Sequence, residues 1–90
     1  MPGIVEKRWY MIDKEREIHN KIRRDILNRY SYIGAKVGHV LPYNWLQLVY
    51  IPSLNPREQE AVPSVLRDMV SSGLIDDTLA LTEVGFNEIY

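Results

Sequence analysis

The feature that most constrains this chain is an apolar residue at every fourth position near its beginning. Ile18, Ile22, Ile26 and Tyr30 recur at this spacing, and at about 100° per residue they fall within one arc of an α-helix. The pattern predicts an amphipathic helix over residues 13–32. Because such a helix is stable mainly through the packing of its apolar side, the rest of the chain must cover that side.

The rest of the chain is short, because the protein has 90 residues. This length predicts a single domain over residues 1–90, with residues 1–12 as an N-terminal extension. Barrel enzymes and doubly wound nucleotide-binding folds need about 150–250 residues, and the chain has no glycine-rich phosphate-binding motif. No apolar run approaches the roughly 18 residues that a membrane span needs, so we expect a cytoplasmic protein with no membrane partner.

Few side chains in the sequence are suited to catalysis or metal binding. The chain has no cysteine and two histidines twenty positions apart, which excludes a disulfide framework, a thiolate nucleophile and a cysteine-based zinc site. The carboxylates fall mostly on predicted exposed helix faces or in a turn, so no nucleophile, base and orienting group are grouped together. We therefore expect no enzymatic activity, no cofactor and no metal.

Two further helices are predicted in the middle of the chain. The apolar run 45–51 lies between two prolines and fits either a buried helix or a strand. We favour a helix with Asn44 as its N-cap and an inner face of Leu46, Val49 and Tyr50.

The following helix has a start and a stop signal. Asn55-Pro56-Arg57-Glu58 is typical of a helix N-terminus with a capping box, and Gly73 marks the end. Pro63 either kinks this helix or begins its main part. The predicted inward stripe consists of Val62, Val65, Leu66, Met69 and Val70.

The last part of the chain predicts a small hairpin and a final helix. Residues 74–75 and 78–81 read as two very short strands around an Asp76-Asp77 turn. Thr82 then caps a short helix whose apolar side contains Phe86 and Ile89.

The residues around this hairpin also suggest a family. A helix carrying Val62, Leu66 and Met69 leads into residues 72–75, and residues 81–85, Leu-Thr-Glu-Val-Gly, begin the next helix. This arrangement resembles the winged helix-turn-helix superfamily, as in MarR-like regulators and small stand-alone winged-helix domains. The resemblance covers residues 44–90. It implies a mainly α fold with a small antiparallel β-hairpin, in the order helix, helix, helix, hairpin, helix.

The resemblance implies a small DNA-binding protein, a transcriptional regulator that acts as a homodimer. In that family, the helix that begins near Asn55 enters the major groove. The expected nucleic-acid contacts are Arg57, Ser64 and Arg67 in the groove and Lys21, Arg23 and Arg24 on phosphates.

The distribution of charge suggests an alternative function. Residues 1–41 contain nine basic and five acidic residues, a net charge of +4, whereas residues 42–90 contain two basic and seven acidic residues, a net charge of −5. The chain is also rich in tyrosine and tryptophan, which are favoured at protein interfaces. The alternative is therefore a protein-interaction module without DNA binding, whose oppositely charged halves drive head-to-tail association that weakens as salt rises.

Overall fold

The computed structural model describes the backbone of residues 2–90 and the side chains of residues 14–90. The chain is mainly helical, and the first helix lies against the third and the last. The helix predicted over residues 13–32 begins at Pro2 instead. The side chains of the predicted N-terminal extension, residues 1–12, lie outside the described residues, so the extension itself stays a prediction. The helices are α1 (Pro2–Tyr32), a π-helix (Trp45–Tyr50) that continues into α2 (Ile51–Ser53), α3 (Pro56–Ser71) and α4 (Glu83–Ile89).

The first helix confirms the predicted stripe and the predicted end. Ile22, Ile26 and Tyr30 are completely buried and form the centre of the core. After the helix, Gly34 adopts a left-handed conformation with a φ of 65°. This conformation lets the Ala35 amide donate to the Tyr30 carbonyl at 2.9 Å, as in a Schellman cap.

The segment after Pro42 is helical, as favoured, but its register is that of a π-helix. The Ile51 amide donates to the carbonyl of Leu46, five residues earlier. Pro52 supplies a physical reason, since in an α-helix its ring would collide with the carbonyl of Leu48, four residues earlier. The wider register moves that carbonyl away from the ring.

Two details predicted for this segment are wrong. Asn44 has helical dihedral angles and makes no capping hydrogen bond through its side chain. Val49 is exposed rather than on the inner face, which contains Leu46 and Tyr50. Asn44 is no cap because the helical turn already begins at Tyr43. The exposure of Val49 follows from the π register, which changes the side of the helix on which each later residue lies.

The third helix confirms the predicted capping box. The Glu58 amide donates to Asn55 Oδ1 at 2.8 Å, and the Asn55 amide donates to Glu58 Oε1 at 3.0 Å. The helix continues without a break through Pro63, which is exposed. Its fully buried residues are Val62, Val65 and Met69, whereas Leu66 and Val70 are half-buried at the edge of the core.

The predicted β-hairpin wing is wrong, and with it the predicted winged-helix fold class. Residues 2–90 contain no strand and only two isolated bridges, Ile75 with Leu81 and Val40 with Ala80. The Asp76 carboxylate, through its Oδ1 atom, accepts hydrogen bonds from the Thr78 amide, the Thr78 hydroxyl and the Ala80 amide. The Asp76 side chain thus accepts hydrogen bonds from two backbone amides that a longer pair of strands would need for pairing.

Leu79 prevents extension of the hairpin in a second way. Its φ of 64° is left-handed, which is unusual for a leucine. Its carbonyl accepts from the Leu41 amide at 3.0 Å and from the Tyr30 hydroxyl. The turn is therefore hydrogen-bonded to α1 and to the loop before the π-helix, and the architecture is helical with a compact turn.

The last helix begins as predicted. The Gly85 amide donates to the Thr82 hydroxyl oxygen at 3.1 Å, and the same hydroxyl donates to the Gly73 carbonyl, with the Leu74 carbonyl 3.0 Å away. Thr82 therefore caps α4 and also fastens it to the chain that leaves α3. Phe86 and Ile89 are half-buried against the core. No helix in the described part of the chain has the length and hydropathy of a membrane span.

Candidate interaction surfaces

The residues predicted to face a DNA groove lie together on α3. Arg57, Ser64 and Arg67 are separated by seven and three residues, which places them on the same side of the helix. Both arginines are exposed and Ser64 is half-buried. Acidic residues lie beside them, because Arg57 lines a cleft together with Glu15 and Glu60.

Lys21, which was predicted to contact phosphate, is held in an ion-pair network between α1 and α3. Its Nζ lies 3.3 Å from Glu58 Oε2 and 3.6 Å from Asp25 Oδ2. The hydrogen bond from the Asn55 amide, helped by Lys21, lowers the pKa of Glu58. Glu58 is thus kept ionised, and it neutralises much of the Lys21 charge.

Arg23 and Arg24 lie away from the arginines of α3. Both line a cleft of about 520 Å³ between α1 and α4, together with Asn20, Asn28 and Glu88. Arg23 also borders a second cleft in which Asp68 lies. Lys21, by contrast, lines one cleft together with Arg57 and Lys14. The structure thus places one predicted phosphate contact beside a predicted groove contact, whereas Arg23 and Arg24 lie beside α4.

Asp68 also contacts His19, the histidine on the core side of α1. Their closest atoms, His19 Nδ1 and Asp68 Oδ2, are 3.6 Å apart, and the imidazole is half-buried. This contact joins α1 to α3. Among the described residues, no group of three histidine or acidic side chains is arranged to hold a metal ion.

An aromatic stack that the sequence did not predict joins the end of α1 to the π-helix. The guanidinium of Arg29 lies 5.0 Å from the ring centroids of both Tyr32 and Trp45. Trp45 stacks in turn on Tyr50, with centroids 4.9 Å apart and an angle of 18° between the planes. The Tyr50 hydroxyl donates to Asp25 Oδ2 at 2.8 Å, and burial is the main cause of its raised pKa.

The inner end of this stack is buried, and its outer end reaches solvent. Tyr50 belongs to the core, whereas Tyr32 is 80% exposed. Leu48 and Val49 are exposed on the same π-helix as Trp45, and Leu48 is 72% exposed. We refer to these five residues together as the Arg29 surface: Arg29, Tyr32, Trp45, Leu48 and Val49.

A second exposed surface lies on α4 and is acidic. Glu83, Val84, Asn87 and Glu88 are exposed, whereas Gly85 is buried between them. The four exposed residues therefore form the outward side of the helix, which we call the acidic α4 face. It contains two carboxylates, one exposed valine and no basic residue.

No protein-family model, no curated protein and no solved structure matches the chain.

Proposed function

We propose that this chain is a protein-interaction module that associates with other copies of itself through aromatic and oppositely charged surfaces. The exposure of Leu48 and Val49 on the π-helix that also carries Trp45 is the observation that carries the proposal. Exposed apolar groups that cluster on a small domain commonly mark a protein-binding surface. Tyrosine, tryptophan and arginine, which occur in this cluster, are also the residues that contribute most often to interface hot spots.

The π-helix and α2, which follow one another along the chain, are poorly suited to binding nucleic acid. In a helix-turn-helix protein on DNA, the first helix of the pair crosses the phosphate backbone. Residues 43–53, which form that helix here, contain no lysine and no arginine. Because neutralised phosphates supply most non-specific affinity for DNA, this side of the molecule favours a protein over a nucleic acid.

A second copy of the chain is the partner that the charges favour. The basic N-terminal half and the acidic C-terminal half have net charges of +4 and −5. The described structure leaves members of both groups at the surface, including Arg24 on α1 and Glu83 on α4. Opposite charges on separate surfaces attract when two copies meet head to tail.

Sedimentation equilibrium of the full chain tests this proposal. Between about 10 μM and 1 mM protein at roughly 50 mM salt, we expect the average mass to rise above that of a single chain. At about 500 mM salt the association should weaken, because the screening length falls below about 5 Å. A constant single-chain mass under all these conditions would contradict the proposal.

DNA binding is the second candidate function, and the arrangement of α3 favours it. Only Leu54 and Asn55 separate α2 from α3, and Arg57, Ser64 and Arg67 share the outward side of the second helix. This is where a helix-turn-helix regulator carries its base-reading residues. Such a regulator would bind duplex DNA with Arg23 and Arg24 of α1 available for phosphates.

Fluorescence anisotropy with a mixed-sequence duplex tests this second candidate. If the chain binds DNA, Arg67→Ala should weaken binding and lower the slope of log K against log salt by about 1. Glu60→Gln, one α3 residue on the same side, should instead strengthen binding. No binding at about 50 mM salt would reject DNA as the ligand.

A further inference from the structure

The guanidinium of Arg29 makes no ion pair in the part of the chain whose side chains the structure describes. No carboxylate of residues 14–90 lies within 4 Å of the Arg29 guanidinium. Its Nε is buried without a hydrogen-bond acceptor, unlike the other buried side-chain nitrogens and oxygens among the described residues. A guanidinium between two rings keeps its charge and offers N–H groups in its plane, which suits a carboxylate.

The exposed apolar side chains of the Arg29 surface define the second requirement for a ligand. Leu48 and Val49 are aliphatic and exposed, and Tyr32 presents most of its ring to solvent. A ligand that covers them must itself carry apolar groups, because only their burial makes the contact favourable. The surface therefore fits a segment in which an apolar side chain stands close to a carboxylate.

The acidic α4 face meets both requirements. Val84 is 54% exposed, and Glu88 lies four residues later, so the two side chains are neighbours on one side of α4. Glu83 adds a second carboxylate next to Val84. Neither glutamate makes an ion pair within 4 Å among the described residues.

We infer that the acidic α4 face of one copy docks on the Arg29 surface of another copy. Val84 packs against the exposed side chains of the π-helix, and a glutamate of α4 accepts hydrogen bonds from Arg29. The two contacting surfaces are different, so the contact is heterologous and each copy carries one of each kind. This inference rests on the proposed self-association and specifies which residues produce it.

A mixing experiment tests the inference with two variants, each altered on one surface only. Leu48→Asp replaces an exposed apolar side chain of the Arg29 surface with a negative charge. Glu83→Lys/Glu88→Lys reverses the charge of the acidic α4 face. Each variant alone should associate at least tenfold more weakly than the original chain. Mixed in equal amounts, they should form a one-to-one complex, because the intact Arg29 surface of one variant meets the intact acidic α4 face of the other.

Matched variants control for charge alone. Gln47→Asp adds the same charge to an exposed position of the π-helix, and Glu60→Lys/Asp77→Lys reverses two exposed acids elsewhere. Both should associate within about threefold of the original chain at physiological salt, because neither changes a residue of the Arg29 surface or of the acidic α4 face. All the altered positions are exposed, so unchanged circular dichroism spectra should show that folding is preserved.

The outcomes separate this inference from the proposed function. If the original chain associates but the mixture of variants does not, self-association stands and the docking of α4 on the Arg29 surface is wrong. If the control variants lose association as strongly as the test variants, general charge rather than this contact is responsible, and the inference is again wrong. If the original chain remains a single copy, both the inference and the proposed function fail.

Discussion

Replacing Tyr30 with alanine is expected to cost the chain about 4–5 kcal/mol of unfolding free energy. The side chain has no exposed surface and lies at the centre of the core. Truncating a buried aromatic residue costs about 3–5 kcal/mol, because apolar contacts are lost and a cavity remains. The loss also includes a hydrogen bond, since the Tyr30 hydroxyl donates to the Leu79 carbonyl, and such a bond contributes about 0.5–1.5 kcal/mol.

The expected loss is large for a chain of this size. At about 0.05–0.15 kcal/mol per residue, the total stability of 90 residues is about 5–13 kcal/mol. Tyr30→Ala should therefore remove a third or more of it. With a urea slope of about 1–3 kcal/mol per M, the unfolding midpoint should fall by roughly 2 M.

Two companion variants show which part of Tyr30 matters. Tyr30→Phe keeps the ring and removes the hydroxyl, so it should cost only about 1 kcal/mol. Burial raises the pKa of Tyr30, and the charge of Asp76 adds to this effect, so the hydroxyl remains a donor well above neutral pH. Tyr32→Ala, at an exposed position of the same helix, should cost less than about 1 kcal/mol. Equal losses at positions 30 and 32 would contradict this account of the core.

The features that the sequence predicted correctly are those whose chemistry lies within a few neighbouring residues. Asn55 and Glu58 form the capping box from residues three apart, and Thr82 caps α4 through an amide three residues later. The isoleucine stripe of α1 is likewise set by the helical repeat alone. Interactions of this kind depend little on the rest of the fold, and so they can be predicted from the sequence alone.

The features that the sequence missed depend on groups that are distant in the chain or on competition between hydrogen bonds. The hairpin failed to form because the Asp76 side chain and the left-handed Leu79 redirect the donors and acceptors of the turn. The stack around Arg29 requires Trp45, sixteen residues away, to be brought beside it by the π-helix. The i,i+3 spacing of Arg29 and Tyr32 was the one local signal of that site.

The candidate DNA contacts show a similar limit. Lys21, Arg23 and Arg24 lie within four residues of one another, and their spacing suggested one basic cluster. The fold instead pairs Lys21 with Glu58 and turns Arg23 and Arg24 toward the cleft beside α4. The acidic partner that the tertiary structure brings to Lys21 therefore separates it from Arg23 and Arg24.

Gly85→Ala is expected to destabilise the chain, although alanine normally favours a helix over glycine by about 1 kcal/mol. An added Cβ atom would lie 2.1 Å from the Leu74 carbonyl oxygen, 2.8 Å from Leu81 Cδ1 and 3.0 Å from the Leu74 carbonyl carbon. The carbonyl cannot move freely, because it accepts a hydrogen bond from the Thr82 amide at 3.2 Å and contacts the Thr82 hydroxyl at 3.0 Å. Relief of the overlap therefore requires α4 to shift as a whole.

Overpacking of this kind costs about 1–3 kcal/mol and sometimes more, and overlap with a backbone atom places Gly85→Ala at the upper end. At about 4–8 °C per kcal/mol for a domain of 60–100 residues, the midpoint of thermal unfolding should fall by at least about 10 °C. Val84→Ala and Asn87→Ala, at exposed positions of the same helix, should each change it by less than about 4 °C. A midpoint that is unchanged or higher in Gly85→Ala would show that α4 does not lie this close to Leu74.

The same substitution connects the packing of α4 with the proposed interface. The close approach of Gly85 to the Leu74 carbonyl fixes the distance between α4 and the segment that follows α3. It thereby fixes the positions of Val84 and Glu88, which lie on α4. If α4 shifts in the Gly85→Ala protein, the acidic α4 face shifts with it while the Arg29 surface stays in place. That protein should then self-associate less well than the original chain below its melting temperature, yet still accept the acidic α4 face of a Leu48→Asp partner in the mixing experiment.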